Sequence, residues 1–181
     1  MSDLQLIRNC APTLAGIKIA NLFSTKERET ARIAYWLKRW NGELNDKGVF
    51  VRCLRKRSET ALIYVYRPKA LHARTLQPEA ARILDRLAYP EGGIESKLDH
   101  LSMHLNQKED FPHEIGVFLG YPIDDVCAFM EKKGRHYKCS GCWKVYGDEE
   151  KAKACFTKYR RCTSCYLRRY QKGGTLRQLT V

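Results

Sequence analysis

A chain of 181 residues, 44% of them hydrophobic and with no low-complexity tract, is long enough to bury roughly 70% of its extended surface, which excludes an intrinsically disordered protein. Its formal charge of +13 is uneven: residues 1–73 carry 14 basic and 6 acidic side chains, residues 74–134 carry 7 and 11, and residues 135–181 carry 12 and 3. With no run of ~18 apolar residues and no basic, apolar and small-residue leader, a soluble cytoplasmic protein with no membrane partner is expected.

Basic ends around an acidic middle suit an anionic partner, nucleic acid or a phosphorylated ligand. A basic end docked on the acidic middle, or a solvated basic surface, satisfies the same balance. In the absence of a secretion signal, the eight cysteines read as reduced thiols or metal ligands rather than as disulfides.

In chain order, "CAPTLAGIKIANLFS" places a proline that breaks any earlier helix, then spaces Leu14, Ile17, Leu22 and Phe23 as a short buried helix would. Ser24 or Thr25 can cap the next helix, whose apolar face is Ile33, Trp36, Leu37 and Trp40 and which ends near Gly42. From Val49 the period changes to two, and "RKRSE" supplies a turn before the β-branched and aromatic "TALIYVY". A β-hairpin over about 49–66 is expected, ended by Pro68.

Helical patterns return in "KALHARTL", "PEAARILDRLA" and "IESKLDHLSMHLNQ". Two short helices, Pro112–Leu119 and Pro122–Lys133, follow, the second closed by Gly134. "CWKVYG" offers a further strand near 142–146. A long helix runs from Asp148 to Gln171, and residues 173–181 form a tail. The expected fold is a single α+β domain over 1–181, mostly helical, with a small antiparallel sheet.

Within "FPHEIGVFLGYPIDDV", Pro112 suits a first helical turn and Glu114 meets the positive end of that helix. His113 beside Glu114 is a candidate general base or metal ligand, although neighbouring helical side chains diverge by about 100°. A metalloprotease pair would need a histidine at 117, which is Val117. His100 and His104 have the spacing of metal ligands on one helix face, but Leu101-Ser102 follows His100 where that motif has glutamate.

Ile115-Gly116, Leu119-Gly120, Val126 and Phe129 match the buried positions of a two-helix corner like that of DNA readers. Asp124 and Asp125, at the start of the would-be recognition helix, would however face phosphates.

Cys139-x2-Cys142 and Cys162-x2-Cys165, separated by 19 residues, have the spacing of a four-cysteine zinc site. Against it, Ala152, Cys155, Phe156, Tyr159, Cys162, Tyr166 and Tyr170 share one apolar arc of the last helix, which makes Cys162 a core residue. Cys165, about 60° round the helix with Lys158, Arg161 and Arg169, is then a free thiol among cations. That basic arc is also a surface for a nucleic-acid backbone.

Three stretches, "CAPTLAGIKIANLF", "FPHEIGVFLGYPIDDV" and "GCWKVYGDEEKA", together resemble the signatures of the bacterial family called domain of unknown function 3793, from about Cys10 to the end. The matching positions are Cys10, Pro12, Thr13, Gly16 and Lys18; Pro112, His113, Glu114, Gly120, Tyr121 and Pro122; and Trp143, Lys144 and Tyr146. The resemblance implies a small cytoplasmic bacterial protein with a role tied to iron or redox state; it implies no activity. Cys142, Cys165, His100 and His104 lie outside the pattern, which sets the zinc site apart from any family function.

Three functions are thereby expected as alternatives. The first is a binding or regulatory protein for a small ligand or a protein partner, with Lys18, Tyr121, Trp143 and Lys144 around one pocket that the hairpin and the two-helix corner wall. The second is an enzyme with Cys10 as nucleophile, His113 as base and Glu114 as orienter. The third is a nucleic-acid-binding protein or a zinc module, with zinc or iron as the cofactors to consider.

Overall fold

The computed structural model of the chain describes residues 1–107 and 111–181. Its order is α1 (Asp3–Leu14), β1 (Ala20–Thr25), α2 (Thr30–Leu44), a 3-10 turn (Asn45–Lys47), β2 (Phe50–Lys56), β3 (Ala61–Tyr66), α3 (Pro68–Thr75), α4 (Pro78–Arg86), α5 (Ile94–Gln107), α6 (Ile115–Phe118), α7 (Ile123–Glu131), β4 (Cys139–Ser140), β5 (Lys144–Val145), α8 (Glu149–Gln171) and α9 (Leu176–Leu179). This is the expected α+β class. The β2–β3 hairpin, α5 and α8 stand where the sequence places them.

The sheet is antiparallel in the order β1-β3-β2. Its middle strand β3 is buried at all six positions, because both faces are covered. Leu62, Tyr64 and Tyr66 point into a core shared with α3, α4, α5, α6 and α7, while Ala61, Ile63 and Val65 point into one shared with α1, α2, α9 and the end of α8. Period-two alternation on one apolar strand thus serves two hydrophobic cores. A bulge at Leu54 breaks the register between Cys53 and Arg55 and turns Leu54 into the first core.

Three expectations are corrected. Pro12 does not break the first helix: it sits in the last turn of α1, where the acceptor it leaves unused is the carbonyl of exposed Arg8. The Pro12 carbonyl takes the N–H groups of Ile17 and Lys18 at 3.0 and 3.1 Å. Leu22 and Phe23 then lie in β1, not in a helix; β1 earns its place by pairing with β3 along its whole length.

The strand expected near 142–146 does not join the hairpin sheet. Lys144–Val145 pairs with Cys139–Ser140 as a separate two-stranded ribbon. Within residues 173–181, α9, closed by a Thr175–Gln178 capping box, buries Leu176 and Leu179 in the second core with Trp40. Arg67, at the end of β3, donates to the carbonyls of Thr13 and Leu14 at 2.8 Å and to Val181 at 2.6 Å, so it closes the C-terminus of α1 onto the end of the chain.

Candidate functional site

The two-helix corner forms as expected, with α6 reduced to one turn. A Cβ on Gly116 would stand 2.7 Å from Val126 Cγ2, so only glycine lets α6 and α7 approach this closely. Gly120 turns the chain with φ +70°, and a Cβ there would stand 2.9 Å from Ile19 Cδ1. The Tyr121 N–H returns to the Gly116 carbonyl at 3.0 Å. Helix α6 begins at Ile115 rather than Pro112; residues 112–114 form a turn whose Pro112 carbonyl accepts from Ile115 at 3.2 Å.

That turn separates His113 from Glu114. Glu114 is only 4% exposed. Its Oε1 accepts from the Tyr89 hydroxyl at 3.0 Å and lies 2.9 Å from His104 Nδ1, so it serves the core between α5 and α6 rather than a helix dipole. Burial, and then the Glu114 carboxylate, push the Tyr89 phenol up, so it stays a donor. His113 is exposed and sets its ring edge-on to Phe129, 5.0 Å between centroids.

Asp125, in the first turn of α7, is buried at 5% exposure. Its carboxylate accepts from Trp143 Nε1 at 2.7 Å and from the backbone N–H groups of Tyr146 and Gly147 at 2.7 and 2.8 Å. One side chain therefore docks the β4–β5 ribbon on the corner. Trp143 is held between Tyr121, stacked at 5.2 Å and 30°, and Phe156 of α8, edge-on at 4.5 Å.

Between the corner and the ribbon lies a cavity of about 370 Å³, walled by Phe111, Tyr121, Phe129 and Trp143, with His113, Ser140 and Lys144 as polar side chains and Asp125 in its wall. Lys144 Nζ donates to the Gly134 carbonyl at 2.8 Å and stands 4.8 Å from the Tyr137 ring centre. A second cavity of about 410 Å³ adjoins the other side of the Tyr121–Trp143 pair and is lined by Arg74, Asp124, Lys151, Cys155 and Tyr159. Arg74 donates to Gln77 Oε1 at 2.6 Å and to the Tyr121 carbonyl. Its Nε is buried without a partner among the described residues, and burial pulls its pKa down.

Lys18 sits near this second cavity, its ammonium 5.4 Å from the Tyr121 ring centre and 5.8 Å from that of Tyr159. Burial lowers its pKa, against smaller opposing effects of the Cys142, Cys10 and Cys155 thiols.

Of the residues singled out from the sequence, Tyr121, Trp143, Lys144 and His113 therefore line one cavity, and Lys18 lies against the far face of Tyr121. The cavity walls are the corner and the ribbon, not the β2–β3 hairpin. Cys10 is fully buried in the core on the α1 face of the sheet, where burial pushes its thiol well up. His113 adjoins the helices of the opposite face and Glu114 is spent on Tyr89 and His104, so the three are not brought together.

The four cysteines of the zinc pattern are also dispersed. Cys139 packs with Val145 and Phe156, whereas Cys162 and Cys165 lie farther along an unbroken α8, where a helix cannot turn both toward the ribbon. All eight thiols are free. Among the described residues, no three His, Cys, Asp or Glu side chains are grouped to hold a metal ion.

Asp125 and Arg74 were not singled out as site residues. Asp125 carried a signal, a carboxylate in a first helical turn, but its three donors lie 18 to 22 residues away.

Among the described residues, no helix is long and apolar enough to cross a membrane. Comparison with curated proteins and with solved structures gives no match. The family model described as "Protein of unknown function (DUF3793)" matches residues 6–180, nearly the whole chain, and the protein belongs to that family.

Proposed function

We propose that the protein binds a small molecule in the cavity between the α6–α7 corner and the β4–β5 ribbon. The observation that carries this reading is the composition of the wall: four aromatic side chains with Ile115 and Val126, and His113, Asp125, Ser140 and Lys144 as the polar ones, around about 370 Å³. These are the proportions of a small-ligand site, concave and mostly apolar with a few placed polar groups. The cavity lies where three segments of the chain meet, so a ligand there would tie the corner, the ribbon and, through Trp143 and Phe156, α8 into one unit. That coupling is what a regulatory protein needs; a role in iron or redox state would enter through the ligand, since the thiols are dispersed.

The test is titration with the neutral fluorophore N-phenyl-1-naphthylamine. Its emission should rise and saturate at one probe per chain, and Ser140→Phe, a change at the exposed rim of the cavity, should abolish the saturable rise. A wild-type protein that gives no saturable signal with this probe or with its sulfonated analogue would rule the reading out.

A second reading, nucleic-acid binding, is favoured by one separate observation. Helix α8 and its C-cap Lys172 expose the cations of Lys158, Arg160, Arg161, Arg168, Arg169 and Lys172, and no acidic residue occurs anywhere in residues 151–181. The enzyme reading gains no such support, because its nucleophile is buried across the sheet from its base.

A further inference from the structure

The walls of the cavity narrow the chemistry of what it would hold. We infer that its ligand is a flat aromatic molecule carrying an anionic group, the ring packed among Phe111, Tyr121, Phe129 and Trp143 and the anion on the side of Lys144 and His113. This rests on the small-molecule reading above and makes it specific.

The Tyr121–Trp143 pair gives the cavity part of its aromatic lining. Tyr121 and Trp143, stacked on each other at 5.2 Å and 30°, line the cavity together with Phe111 and Phe129. The Trp143 ring cannot swing away, because its Nε1 is fixed to Asp125 at 2.7 Å and its edge packs on Phe156. A lining of four aromatic rings favours an aromatic guest, since edge-to-face or offset ring contacts add about 0.5–1.5 kcal/mol beyond area burial.

Lys144 gives the cavity a positive charge. An ammonium has three donors; one goes to the Gly134 carbonyl at 2.8 Å, and the rest of its surroundings are the Tyr137 and Phe129 rings at 4.8 and 5.7 Å. Among the described residues it has no carboxylate partner. The carboxylate in the same wall, Asp125, has three N–H donors of its own and stands in the first turn of α7, where the helix dipole opposes its charge.

The cavity therefore presents a positive charge against apolar walls, where charge is poorly screened and a hydrogen bond to it is strong. A cationic guest would meet Lys144 as a like charge, and three of the lining rings already carry a cation: Phe129 that of Lys144, Phe111 that of Arg55 and Tyr121 that of Lys18.

The experiment compares two probes that differ by one group: 8-anilinonaphthalene-1-sulfonate and the neutral N-phenyl-1-naphthylamine. The wild-type protein should bind the sulfonate about tenfold more tightly, the size of one charge-assisted hydrogen bond. Lys144→Met should bring the two affinities together, and Lys144→Arg should keep most of the preference. Because the readout is a ratio of two affinities for the same folded protein, loosening of the Gly134 contact alone would not mimic it.

Equal affinities in the wild type, or a Lys144→Met protein that keeps the tenfold ratio, would overturn the inference and leave the small-molecule reading standing. Failure of both probes to bind would overturn both.

Discussion

Asp125 and its neighbour Asp124 look alike in the sequence and do opposite things. Helical neighbours point about 100° apart, so Asp124 is exposed while Asp125 is buried and holds Trp143, Tyr146 and Gly147. Read as a pair, they argue only against DNA; read singly, the buried one is the hinge pin of the site. Removing a buried acceptor leaves its donors unsatisfied at about 1–3 kcal/mol each, with some recovery as water enters. Asp125→Ala is therefore expected to lose about 3 kcal/mol in urea unfolding and to shift Trp143 emission to the red, as the indole is freed from its clamp. Asp125→Asn, which keeps one acceptor oxygen, should lose roughly half as much. Unchanged emission in Asp125→Ala would mean that the ribbon is held by packing alone. His113 and Glu114 teach the same lesson, one facing the cavity and the other the core.

Elements were legible where their period ran long. Helix α5 and helix α8 keep a 3.6-residue pattern over several turns, and the apolar arc from Ala152 to Tyr170 is the face that α8 turns inward. Strand β1 was not legible, because six residues reading "ANLFST" carry no local strand signal and owe their form to β3, about 40 residues away. The ribbon strands, two residues each, are too short for any period. The corner was legible through its glycines, and Gly116 gives it a sharp test. Gly116→Ala forces a Cβ to 2.7 Å from Val126 Cγ2, an overpacking that costs about 1–3 kcal/mol. Adding Val126→Ala removes the opposing methyl groups, so the double variant should unfold at a higher urea concentration than additivity of the two single losses allows. Strict additivity would place the strain of Gly116→Ala in the backbone rather than in the contact.

At the scale of the whole molecule, one sheet between two cores decides which charges face outward. The acidic middle of the chain contributes α4, α5 and α7 to one face of the sheet, and the basic end contributes α8 and α9 to the other. The sequence allowed the basic end to neutralise itself on the acidic middle; apart from Arg177 on Asp46, the described ion pairs of the end are local ones in the first turn of α8, Lys151 to Asp148 and Lys153 to Glu149. The six exposed cations from Lys158 to Lys172 thus face solvent along about 21 Å of helix. If about four of them meet phosphates, the affinity for duplex DNA should fall as roughly the 3.6th power of salt concentration, about a hundredfold between 50 and 200 mM. Replacing Arg161 and Arg168 with Gln should lower that exponent by about 2, because each lost phosphate contact removes ~0.9, while probe binding in the ribbon cavity stays unchanged. Absence of binding at 50 mM salt would identify this face as a solvated one and leave the cavity as the place where the molecule meets its partner.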